Sequence, residues 1–232
     1  MSGASDKGAG DILQRVYDML YERYGPQGWW PAKTKFEVVL GAILVQSTAW
    51  VNAAKALDAI REAGALDAAA LARMSEQEIA QLVRSSGFYT VKGRRVKAFV
   101  DHVKERHRGD LDAMLEQDMA ALRNALLGIH GIGEETADCI ILYAAGKPSF
   151  VVDEYTRRIV GRLGLGPGGR GSYADIQRLF EGALPRDAGM LGECHALLVA
   201  LAKDVCKKRP ECGRCVLNKV CEYGRERAIS PE

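Results

Sequence analysis

Leu126-Leu127-Gly128-Ile129-His130-Gly131-Ile132-Gly133-Glu134-Glu135-Thr136-Ala137 decides how this chain reads. Met119, Leu122, Leu126 and Leu127 precede it at helical spacing, and a second apolar helix follows until Gly146 and Pro148 end it. Two helices joined by a glycine-rich hairpin are therefore expected. Gly128, Gly131 and Gly133 remove side chains from the turn, so its amides can lie close against another surface. Those amides and the following helix N-terminus suit an anion, and their spacing suits a DNA phosphate. Ile129 and Ile132 are expected to anchor the hairpin in the protein beneath.

Outward from the hairpin, nearly every periodic stretch is helical. Helices are expected at about 12–24, 35–45, 51–63, 76–85, 92–106, 116–127, 134–145, 156–163, 172–184 and 188–205. Val151-Val152 is too short to seed a sheet, and the glycine-rich stretch 164–171 lacks the strand–turn–helix setting of a phosphate loop. An all-α protein of two helical lobes follows. Residues 1–10, rich in Gly, Ser and Ala, read as a flexible tail without the apolar stretch of a secretion signal.

The 232 residues can bury a substantial core, and no apolar run is long enough to cross a bilayer. A cytoplasmic protein with no membrane attachment is expected, nucleoid-associated if bacterial. The net charge is only +2, but its distribution is uneven. Arg84, Lys92, Arg94, Arg95, Lys97, Lys104, Arg106 and Arg108 face only Asp101 and Glu105 within their stretch. A second basic run spans 203–227, and both suit a polyanion.

Four of six cysteines crowd the tail as Cys206-x5-Cys212-x2-Cys215-x5-Cys221. A reducing compartment disfavours disulfides, so metal ligation is the better account. One close pair flanked by two distant single ligands differs from the paired knuckles of structural zinc. The run suits a [4Fe–4S] cluster, with a zinc-dependent DNA-binding module as the alternative. Cys139 and Cys194 lie among apolar neighbours and read as core.

Hairpin, Val151-Val152-Asp153 and cysteine tail together resemble the endonuclease III branch of the helix-hairpin-helix (HhH-GPD) DNA glycosylases, over about residues 36–223. The segment from Gly41 to Thr48 matches that family's first core helix and the glutamine after it, Gln46. Gly87-Phe88-Tyr89 followed by Lys92 matches its duplex-wedging loop. The resemblance implies a six-helix barrel lobe at 36–145 that carries the hairpin. It implies a second lobe, from 11–35 with 146–232, that carries a cluster loop at 206–221. It implies double-stranded DNA with a damaged base as partner, bound by a monomer, with the nucleotide flipped into the cleft between the lobes. Gln46, Phe88, Gly128, Ile129, Gly131 and Gly133 are the expected DNA-binding positions, with Gln46 and Phe88 filling the hole left by the flipped nucleotide.

Asp153 matches the family's catalytic carboxylate, although an ordinary helix cap would also place an aspartate there. Members that cut the strand carry a lysine two residues after the last hairpin glycine; here that position is Glu135. A carboxylate forms no imine, so hydrolysis of the glycosidic bond without strand cleavage is expected. Trp29, Trp30 and Trp50 resemble the base-sandwiching aromatics of the 3-methyladenine DNA glycosylase III subgroup. N3- and N7-alkylated purines are cationic, and an indole face attracts a cation by roughly 0.5–2 kcal/mol. A glycosylase for an alkylated purine such as 3-methyladenine is the leading expectation. Excision of oxidised pyrimidines or mismatched bases, and non-catalytic binding of damaged DNA, are the alternatives. His130 and His195 read as structural.

Overall fold

The computed structural model describes residues 3–166 and 168–229, so positions 1 and 2 of the expected tail lie outside the described residues. Among the described residues there is no strand, and the chain is all-α. It falls into two compact units, Trp30–Lys147 and Met1–Trp29 with Pro148–Glu232.

The helices are α1 (Gly3–Tyr24), α2 (Lys35–Leu44), α3 (Trp50–Glu62), α4 (Ala68–Arg73), α5 (Glu76–Leu82), α6 (Tyr89–His107) and α7 (Leu111–Leu115). They continue as α8 (Met119–Leu127), α9 (Glu134–Tyr143), α10 (Glu154–Leu163), α11 (Tyr173–Ala183), α12 (Ala188–Asp204) and α13 (Glu222–Ile229). The long periodic helices stand where the sequence predicts them. The short α4, α7 and α13 escape periodicity, because five to eight residues complete too few turns to show it. Helix α1 begins at Gly3, inside the stretch whose composition suggests a flexible tail.

The unit Trp30–Lys147 is built around α2. Thr34 caps it by accepting the Glu37 N–H, and every residue from Phe36 to Leu44 is buried. A helix apolar on all sides must be surrounded, and α3, α6 and α9 pack against it. Full burial of Leu40, Ile43 and Leu44 contributes roughly 1.5–3 kcal/mol each. Helices α5 and α6 approach so closely at Gly93 that a Cβ there would stand 2.9 Å from Ala80.

Helices α8 and α9 form the two arms of the hairpin. Arg123 on α8 donates from Nε and Nη2 to both carboxylate oxygens of Asp138 on α9, each at 2.9 Å. Asp138 is fully buried, so this two-pronged pair clamps the arms from inside.

In the other unit, α12 packs against α1 and α10, and α11 packs against α1. Ser172 and Asp175 form a reciprocal cap at the start of α11. Gly164 ends α10 at φ +74°, and a Cβ there would reach 1.8 Å from a Glu222 carboxylate oxygen. Only glycine meets both conditions. Leu217, buried in the cysteine loop, accepts the Cys221 N–H on its carbonyl, while the Cys206 N–H bonds back to Leu201.

Removing the Arg123 side chain strands a buried carboxylate. Arg123→Ala is expected to lose roughly 3–5 kcal/mol of stability, checked by denaturant melts. Arg123→Ala with Asp138→Asn should recover part of that loss, because the amide carries no charge to strand.

Candidate functional site

The hairpin is open where an anion would need it. Gly131 sits at φ +83°, a conformation side chains resist, and a Cβ there would stand 2.3 Å from the Arg95 side chain. Gly133 has ordinary extended backbone (φ −95°, ψ −178°) and room for a side chain. Its use is different: it stands at the N-cap of α9 with no side-chain cap bond. A serine or aspartate there would take up the first helical amides, whereas glycine leaves them to an outside acceptor. Gly128 caps α8, and Ile129 and Ile132 are buried, as the sequence predicts for the two anchors.

Gln46 is woven into this hairpin. Its Nε2 donates to the Gly131 carbonyl at 3.2 Å and to Thr136 Oγ1 at 2.8 Å, while Arg95 donates to its Oε1. The next residue, Ser47, is exposed at φ +55°. Phe88 projects into solvent, 70% exposed, from a left-handed backbone between Gly87 and the start of α6. An apolar ring held out in a strained conformation suits insertion between bases.

The basic stretch before residue 108 needs correction at Lys92. That side chain is buried, and its Nζ donates to the carbonyls of Leu44 (2.8 Å) and Ser86 (2.6 Å). It closes the C-terminal end of α2 against the loop carrying Phe88. Burial, aided by nearby Arg95, lowers its amine to about 8. Lys97 is engaged by Asp101, and Arg94 lies 3.5 Å from Glu76. Arg84, Lys104, Arg106 and Arg108 remain exposed.

The three tryptophans divide into two settings. Trp30 meets Trp50 edge to face at 5.5 Å between centroids and lies tilted on Tyr143 at 5.2 Å. Gly41 on α2 lets both indoles come down onto the helix, since a Cβ there would meet them at 3.2–3.3 Å. Tyr143 has no counterpart among the sequence candidates, because its separation from Trp30 hides the contact. Trp29 instead puts its ring against His195, edge-on at 5.9 Å, with Lys203 Nζ 5.4 Å from its centroid. Trp30 and Trp50 are in contact with each other and leave no gap for a base between them.

Asp153 is the N-cap of α10: its Oδ1 accepts the Thr156 N–H at 2.7 Å. Its Oδ2 lies 3.6 Å from His195 Nε2, with both side chains largely buried. Burial pushes the Asp153 carboxyl up, but the His195 imidazole and the Thr156 N–H outweigh it. The net value is below the ordinary carboxylate range. Helix cap and histidine contact thus coexist on one side chain. Glu37 is buried against Arg61 and the Lys33 N–H, so it serves the scaffold. Tyr155 lies under the Arg158 guanidinium. Glu135 is exposed in the first turn of α9.

The four tail cysteines are half-buried and lie near one another. Burial first, and then Cys206, Cys221 and Cys212, push the Cys215 thiol up to about 11. Arg162 donates to Cys206 Sγ at 3.1 Å, and its carbonyl accepts from Cys221 Sγ. Among the described residues no three His, Cys, Asp or Glu side chains close on a single metal ion.

Residues 40–186 match the HhH-GPD superfamily of base excision DNA repair proteins. The chain belongs to that superfamily. A protein of Methanocaldococcus jannaschii named as a DNA repair glycosylase is 38% identical over 91% of this chain and 96% of its own. The endonuclease III of Sulfolobus acidocaldarius is 29% identical over 92% of this chain and 96% of its own. The solved 3-methyladenine DNA glycosylase of H. pylori, bound to 1,N6-ethenoadenine, superposes with a TM-score of 0.71. It is 27% identical, over 84% of this chain and 97% of its own. This HhH-GPD protein is a DNA glycosylase of base excision repair. No helix among its described residues is long and apolar enough to cross a membrane.

Gly131→Ala in this HhH-GPD protein is expected to displace Arg95 and twist the hairpin. Affinity for undamaged and damaged duplexes should fall together by about tenfold or more, which fluorescence anisotropy would measure. Gly133→Ala, which meets open space and ordinary backbone, should fall much less.

Proposed function

We propose that this glycosylase is monofunctional: it flips an alkylated purine out of the duplex and hydrolyses its glycosidic bond. The observation that carries the proposal is Asp153, an ionised carboxylate held by Thr156 and His195, in a chain whose lyase position is Glu135. Water forms the new bond to C1′ while the C1′–N bond breaks and its electron pair leaves with the base. A cationic N3- or N7-methylpurine departs neutral, so no strong general acid is required. One proton of the water passes to the Asp153 carboxylate, which until then stabilises the oxocarbenium-like sugar. Glu135 offers no amine, and the reaction stops at an abasic site.

The cluster of Trp30, Trp50 and Tyr143 supports a cationic purine as substrate, since an electron-rich aromatic wall favours a delocalised positive charge. Trp50 would turn from its edge-on contact to admit the base. Trp29 belongs in this reading to the support of His195. The H. pylori relative, solved with an ethenoadenine, favours the same substrate class. The Sulfolobus relative, an endonuclease III, supports the second reading, an endonuclease III-like glycosylase. Gly128, Gly131 and Gly133 would hold the phosphate, with Ile129 anchoring the turn, and Phe88 would part the stack with Gln46 beside it. The enzyme would act as a monomer in the cytoplasm.

Cys206, Cys212, Cys215 and Cys221 would hold a [4Fe–4S] cluster. The Cys206-x5-Cys212-x2-Cys215-x5-Cys221 spacing, with a guanidinium donating to Cys206, supports such a group. Bound, it would crosslink the loop after α12 rather than take part in bond breaking. Purified protein should be brown and contain iron and sulfide, and Cys212→Ser should be colourless and poorly folded. About one zinc per chain with no iron would overturn this assignment.

Asp153→Asn should bind damaged duplex as wild type does but excise about 10²–10⁴-fold more slowly. On wild-type protein, strands should stay intact until hot alkali, and borohydride should trap no covalent complex. Vigorous release of thymine glycol with little action on methylated DNA would favour the second reading.

A further inference from the structure

We propose that His195 is a positioning residue for the reaction: its Nε2 holds Asp153 Oδ2 while the Thr156 N–H holds Oδ1. This rests on the reading of Asp153 as the catalytic carboxylate. His195 is 5% exposed and walled by aromatic edges, Trp29 at 5.9 Å and Phe150 at 6.4 Å. Phe150 is itself stacked on Phe180 at 3.9 Å. The imidazole therefore has little rotational freedom, and its Nε2 stands 3.6 Å from the carboxylate it faces. A core histidine needs no carboxylate, and an N-cap aspartate needs no histidine. Their pairing, across 42 residues of sequence, joins α12 to the start of α10.

The surrounding titratable groups are engaged elsewhere. On α10, Glu154 is exposed, and Arg157 donates to the Gly171 carbonyl. On α11, Tyr173 receives the Val152 N–H and Glu181 the Phe150 N–H. On α12, Glu193 receives the Gln27 N–H, Lys203 lies over Trp29, and the Cys194 thiol is pushed up to about 12 by burial. Burial first, and then Glu193, push the Tyr17 hydroxyl on α1 up. His195 thus faces Asp153, and its imidazole, with the Thr156 N–H, counters the burial that would raise the carboxyl.

The consequence is a pH dependence with a definite sign. With His195 present, Asp153 stays ionised well into acid. Without it burial dominates, the carboxyl rises, and excision is lost at a higher pH as the solution is acidified.

The test is single-turnover release of methylpurines from methylated duplex DNA between pH 5 and 8.5. Wild type, His195→Ala, His195→Gln and Asp153→Asn are compared, and binding is measured on a duplex carrying a tetrahydrofuran abasic analogue. Both His195 variants should bind within about twofold of wild type. Their rates should fall between pH 8 and pH 5 about tenfold more than wild type, as for a carboxyl that titrates about one unit above pH 5. At pH 8, His195→Gln should recover more of the rate than His195→Ala, because its amide can donate to Oδ2. Profiles parallel to wild type, with Asp153→Asn inactive, would overturn the role of His195 alone. An Asp153→Asn enzyme as fast as wild type would overturn the catalytic reading and this inference with it. Should His195→Ala fail to fold, the pH profile of His195→Gln decides.

Discussion

A carboxylate buried without water around it must be answered, and at Asp138 the answer is Arg123. That pair fixes the arms of the hairpin, and Gln46 and Arg95 are tied to the hairpin in turn. Arg95 fills the space beside Gly131, Gln46 bonds to both Arg95 and the Gly131 carbonyl, and Thr136 receives the other Gln46 hydrogen. Gly133 gives the start of α9 no side-chain cap. An inward clamp and an outward gap are therefore built from the same two helices.

Lys92 performs a similar service one layer away. An ammonium taken out of water is tolerated because two carbonyls, at the end of α2 and before Gly87, need donors. The result holds two strained and exposed residues, Ser47 and Phe88, on a stiff base. Strain that persists on a rigid support is characteristic of positions that meet a ligand.

Asp153 caps α10 and meets a histidine of α12 with the same carboxylate. The Thr156 N–H fixes one oxygen as any N-cap would, and the histidine from α12 keeps the carboxyl ionised despite burial. The tryptophans show how neighbours in sequence part in space: Trp29 supports that histidine, whereas Trp30 packs on Gly41 with Trp50 and Tyr143. Adjacent residues carry no sign of this in their order.

The sequence by itself determined what depends on a few consecutive residues: the long amphipathic helices, the glycine hairpin with its two buried isoleucines, and Asp153 at a helix start. Gly131 is readable because a backbone conformation selects its residue type. The crowding of four cysteines is readable because ligand spacing is local. Only the tertiary structure decided that Lys92 is a buried clamp rather than a phosphate contact, that Phe88 is exposed, and that Gln46 belongs to the hairpin. It alone joined Arg123 to Asp138, Tyr143 to Trp30 and His195 to Asp153. Those pairings are separated by 15 to 113 residues. The energy of a contact between distant residues depends on where packing brings the helices, and no local pattern of residue types records that.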